Sequence, residues 1–108
     1  MKEIIAVIRP NRLHKVRNAF RTLPGFPGMS IAHIEGCSGH AGTEKNDSLK
    51  EELTDFIKKI RIEIVAPDEM VDDILRIIHQ NANTGQVGDG VLWVTEVEKF
   101  VRLCKAGT

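Results

Sequence analysis

Aromatic residues are scarce in this chain of 108 residues: it has no tyrosine, one tryptophan and four phenylalanines. A sheet that recognises RNA by stacking bases needs aromatics on its central strands and usually a basic face, so that class is disfavoured. Only two cysteines occur, Cys37 and Cys104. They are too few for the disulfide framework of a small secreted domain, which makes a reducing cytoplasmic setting the expectation. They also lie too far apart in sequence for the close cysteine pair of a soft-metal chaperone. Neither sign of charge dominates, since 15 Lys and Arg balance 15 Asp and Glu. With no global field, nucleic acid is not an expected partner, and any anion site must be local. No run approaches the ~20 apolar residues of a membrane span, and the apolar stretch in MKEIIAVIRP is too short for a signal-peptide core. A single soluble domain spanning 1–108, not embedded in a membrane, is expected.

What is present is a regular alternation of apolar segments and breakers. EIIAVIR (3–9) is rich in isoleucine and valine and stops at Pro10, as a buried strand does. Asn11 is placed to cap a following helix, in which Leu13, Val16, Phe20 and Leu23 recur at helical spacing. LPGFPG (23–28) ends that helix, and MSIAHIEG (29–36) reads as a second strand. The stretch 37–55 is small, polar and charged and reads as a mobile loop. KIRIEIVA (59–66) is a third strand, with Ile60, Ile62 and Ile64 on one face and Arg61 and Glu63 on the other. Pro67, Asp68 and Glu69 open a second helix with Val71, Ile74, Leu75 and Ile78 as its buried stripe. VLWVTEV (91–97) is a fourth strand, and 98–104 is either a short helix or an extended tail. The order βαββαβ is that of the ferredoxin-like α+β fold, an antiparallel four-stranded sheet with two helices on one face.

Between the second helix and the fourth strand stands TGQVGDG (84–90), with three glycines in seven positions. Taken alone, it is either a tight connection needing left-handed residues or a nest of main-chain amides for an anion. MKEIIAVIRP, GMS (28–30), KKIRIEIVAPDEMV (58–71) and NTGQVGDGVLWV (83–94) together resemble the PII nitrogen-regulatory signal-transduction family, from residue 1 to about 103. The resemblance implies a homotrimer whose sheets face the central axis, with an adenine nucleotide in each cleft between subunits. By position it places Gly36, Cys37, Ser38, Gly39, His40, Lys59, Gly88, Asp89, Gly90 and Arg102 at the phosphates. It places Gly28, Met29, Ser30 and Val65 around adenine and ribose, with Val7 as an apolar neighbour. It also makes 37–55 the signalling loop that engages a membrane transporter or a metabolic enzyme.

Departures from the family pattern sharpen the expectation. The family's lysine after GDG is Val91 here, and the second arginine of its R-x-R pair is Cys104, leaving Arg102 with Lys105 out of register. A charge-assisted contact is worth about 1.5–3 kcal/mol, so ADP or AMP is expected to be favoured over ATP. The glutamine that family members use for 2-oxoglutarate is His40, and the preceding arginine is Gly39, which makes a smaller anion such as bicarbonate a candidate effector. Glu52 and Lys50 stand where relatives carry the tyrosine and serine that are covalently modified, so those modifications are not expected. The alternatives are a conventional ATP and 2-oxoglutarate nitrogen regulator, or a metal-sensing PII-like protein acting on an efflux system.

Cys37-x-x-His40, with His33 nearby and Cys104 brought close by folding, offers ligand types suited to Zn or Cu. Against this, loop histidines are usually solvated, and Cys104 shares an apolar helical pattern with Phe100 and Val101 that reads as core. No metal site is assigned. His14 and His79 fall on helix surfaces. An enzyme is not expected either, because no base, nucleophile and orienting group converge in the pattern.

Overall fold

The computed structural model describes residues 1–37 and 56–104. Four strands, β1 (Lys2–Ile8), β2 (Ser30–Gly36), β3 (Ile57–Ala66) and β4 (Gly90–Glu96), form one antiparallel sheet in the order β2-β3-β1-β4. Helix α1 (Leu13–Phe20) connects β1 to β2, and α2 (Val71–Ala82) connects β3 to β4. This is the ferredoxin-like arrangement, with β1 and the longest strand, β3, at the centre.

The core follows from the two-residue period of the strands. Ile4, Ala6 and Ile8 of β1 stand in register with Ile64, Ile62 and Ile60 of β3, and all six are at most 2% exposed. Val16 and Phe20 of α1 and Ile74, Ile77, Ile78 and Ala82 of α2 close over them. Branched side chains suit a pleated surface, and the two amphipathic helices supply the second layer it requires. Leu75 and Val71, expected in the buried stripe of α2, pack at its edge, while Ile77 and Ala82 join the core. The opposite sheet face carries no helix. There Ile5 is buried between its register partners Glu63 and Trp93, and the Arg61 guanidinium lies 5.8 Å from the centre of the Trp93 ring. Val7, Val65 and Val91 continue this face, whose Val91 and Trp93 are exposed in the subunit.

Three local expectations are corrected. Asn11 does not cap α1; it lies inside a 3-10 turn over Pro10–Arg12, where the proline occupies the first position and Arg9 precedes it in extended conformation. The same device precedes α2, where Pro67 leads into a 3-10 turn over Asp68–Met70. The first helix ends at Phe20 rather than reaching Leu23, which packs on the core from the turn that follows. Residues 97–104 form no helix, in line with the tail rather than the helix among the two expected forms, so the apolar spacing that assigned Cys104 to the core does not apply; Cys104, Val101 and Leu103 are exposed. The loop segment 38–55, with Lys50 and Glu52, lies outside the described residues, as does Lys105. Among the described residues no helix is long and apolar enough to cross a membrane.

Candidate functional site

The glycine-rich turn between α2 and β4 is organised by its own aspartate. One oxygen of the Asp89 carboxylate accepts hydrogen bonds from the main-chain N–H groups of Thr84 (2.7 Å), Gly85 (3.0 Å) and Gln86 (3.4 Å). The other accepts from the Thr84 hydroxyl and, at 3.0 Å, from Nε of Arg9. These donors, the Thr84 hydroxyl foremost, hold the Asp89 carboxyl well below the usual carboxylate range. The amides of 84–86 thus form an anion nest, and a carboxylate of the same chain fills it. This differs from the expectation that the Gly85 N–H is available to a phosphate.

Gly90 has a second and purely structural reason. Its φ is +123°, and a Cβ there would fall on the Val7 carbonyl oxygen of the neighbouring strand. Glycine at 90 is therefore what lets β4 begin pairing with β1 at Ile8. Gly85 and Gly88, with φ of +80° and +94°, supply the left-handed positions of the turn.

Around this turn lies a cleft of about 490 Å³ lined by Val7, Arg9, Gly36, Cys37, Ile57, Lys59, Val87, Gly88, Gly90 and Val91. It contains two cationic side chains and no carboxylate among its lining residues. Arg9 also donates to the Val87 carbonyl at 3.0 Å, and the Lys59 ammonium donates to the Gly88 carbonyl. Partial burial, followed by the nearby Arg9 charge, pushes the Lys59 ammonium below the usual lysine range against the opposing pull of Asp89. With Arg9 already paired to Asp89, Lys59 is the cation that an anion in this cleft would relieve.

A second cleft of about 410 Å³ lies at the other end of the strands, lined by Glu3, Pro27, Gly28, Met29, Ser30, Glu63, Val65, Phe100 and Arg102. The Arg102 guanidinium sits 5.1 Å from the centre of the Phe100 ring. The carboxylates of Glu3 and Glu63 disfavour phosphate there and suit amino and hydroxyl donors, while Met29, Val65 and Phe100 provide apolar surface for a flat ring. Glu63 additionally accepts from Arg61 at 2.9 Å.

The expected site residues therefore divide. Val7, Gly36, Cys37, Lys59, Gly88 and Gly90 gather at the glycine turn, and Asp89 turns inward to organise it. Gly28, Met29, Ser30, Val65 and Arg102 gather at the far end. Arg102, expected at the phosphates, is thus separated from the glycine turn within one subunit. From Glu3 to Val7 along β1 the separation is about 13 Å at the usual strand rise. Ser38, Gly39 and His40 lie outside the described residues. Among the described residues no three His, Cys, Asp or Glu side chains cluster as a metal site. Sequence reasoning missed Arg9, Glu3, Glu63 and Phe100. Arg9 carried a signal, as a lone cation ending an apolar strand immediately before Pro10.

The chain's sequence is similar to that of known proteins. Residues 1–106 match the family described as Nitrogen regulatory protein P-II. The chain is similar to the Nitrogen regulatory protein P-II of Haemophilus influenzae, with 36% identity over 103 residues covering 95% of this chain and 91% of that protein. It is also similar to P-II 2 of Methanothermobacter thermautotrophicus, with 36% identity over 95% of this chain and 89% of the relative. Similarity to P-II 1 of Escherichia coli is 36% over 95% and 91%.

Proposed function

From the premise that the chain belongs to the P-II nitrogen regulatory family, a family of signal transducers and not of enzymes, we propose that it reports adenine-nucleotide status by binding ADP or AMP in preference to ATP. The sites are clefts between subunits of a homotrimer, and the output is the loop 37–55 acting on a membrane transporter or a metabolic enzyme in the cytoplasm. Bicarbonate is the candidate second effector. No metal is part of the proposal.

The observation that carries it is the division of the site residues between two chemically different clefts. One end of the sheet offers apolar surface and carboxylate acceptors, suited to adenine and ribose; the other offers Arg9, Lys59 and glycine backbone, suited to phosphate. Packing the helix-free face of one subunit, with its exposed Val91 and Trp93, against a neighbour would bury apolar surface.

Preference for the shorter nucleotide follows from charge. In the anion-suited cleft Val91 is 61% exposed at the position where the family carries a lysine. Cys104 is exposed beside Arg102 and supplies no cation. Two missing charge-assisted contacts lower triphosphate binding by about 3–6 kcal/mol relative to a fully furnished site, on the order of 10²–10⁴ in affinity. Calorimetric titration with ATP, ADP and AMP tests the reading, together with sedimentation to establish the trimer. ATP binding at least tenfold tighter than ADP would overturn it in favour of a conventional ATP-responsive regulator.

A further inference from the structure

Between Glu3 and Glu35 the chain has no acidic residue, and Arg9, Arg12, Lys15, Arg17 and Arg21 all fall in that interval. The balanced total charge conceals this asymmetry. The structure consumes part of it: Arg9 pairs with Asp89, and Nε of Arg12 donates to the Asn81 carbonyl at 2.9 Å. Arg17 and Arg21 have no acidic partner among the described residues. They sit one turn apart on α1 and at its end, so their guanidinium groups share one flank of the helix.

Those two arginines border a cleft of about 310 Å³ whose remaining walls are Phe20, Phe26 and Met29. The Phe20 and Phe26 rings stack nearly parallel, with centroids 4.2 Å apart, and form a continuous apolar floor. The volume is at the lower end for a ligand pocket and accommodates one large side chain. Its two arginines lie on α1 and at its end, on the helix-covered side, while Met29 also lines the cleft at Gly28–Ser30.

We propose that the Arg17–Arg21 cleft docks an acidic peptide segment of a partner protein, in which one aromatic or branched apolar side chain enters the cleft between flanking Asp or Glu residues. The occupant follows from charge complementarity combined with an apolar floor. An anionic membrane requires a broader patch, about four to eight basic residues, and nucleic acid requires a track of cations along a backbone. Of the acidic residues near the start of α2, Asp68 already pairs with the Met1 amine and Asp73 with Arg76.

Fluorescence anisotropy with a labelled Glu-Asp-Phe-Glu-Asp peptide tests this on the intact protein. Binding is expected to weaken with salt, to fall at least tenfold in R17E/R21E, and to fall when the probe's Phe is replaced by Ala. Circular dichroism and ADP titration of R17E/R21E are expected to match the parent, since both arginines are exposed. No binding at 1 mM peptide, or equal binding to parent and variant, would overturn the proposal. So would binding to phosphatidylserine vesicles in preference to the peptide, or self-association abolished by R17E/R21E.

Discussion

Nε of Arg9 stands 3.0 Å from Oδ1 of Asp89, joining the end of the first strand to a turn that lies 80 residues later. The same guanidinium holds the Val87 carbonyl, so a single side chain fixes two points of the glycine turn. A bidentate clamp of this kind sets backbone geometry that no local sequence preference supplies.

Replacing Arg9 by Met keeps much of the side-chain volume and removes both contacts. The turn is expected to loosen, and ADP affinity to fall about tenfold or more with little change in thermal stability, because Arg9 is partly exposed and lies outside the apolar core. Calorimetry on R9M checks it; unchanged affinity would mean that Arg9 serves only the fold.

Introducing a methyl group at Gly90 is expected to be far more damaging to the fold. G90A places a Cβ on the Val7 carbonyl at a φ of +123° and forces the first pair of β1 and β4 apart. A loss of about 3 kcal/mol is expected, read as a fall of roughly 10 °C or more in melting temperature for a domain of this size.

Acid sensitivity should trace to Asp89. Its folded-state carboxyl titrates below the unfolded one, so its contribution is complete above about pH 5 and is lost as pH falls through the folded value. Urea denaturation at pH 7, 5 and 3 is expected to show a smaller loss on acidification for D89N than for the parent. D89N should also be the less stable of the two at pH 7.

Restoring a cation in the anion-suited cleft should change nucleotide preference. V91K places an ammonium where Val91 is now exposed, and ATP affinity is expected to rise at least tenfold relative to AMP. A parallel rise for AMP would show that the added charge acts non-specifically.

Most of the architecture was legible because it rests on local rules. The isoleucines of 60–64 alternate and the helical stripes recur, and Pro10 and Pro67 mark element boundaries, although α1 ends at Phe20, ahead of the proline and glycine cluster at 23–28. The terminal segment was not legible, since apolar spacing at Phe100, Val101 and Cys104 fits a helix equally well when no layer exists for it to cover. The α1 cap failed for a related reason: Pro10 sets the geometry of the entry turn, which places Asn11 inside it.

By itself the sequence determined the order of elements, the isoleucine core and the glycines that mark the turn, because side-chain period and backbone freedom are properties of a few consecutive residues. Only the tertiary structure decided that Asp89 fills the amides of its own turn, that Arg9 clamps it, and that the candidate residues part into two clefts. Those relationships depend on strand register and on contacts between distant segments, and the free energy that selects them appears only once the sheet has assembled.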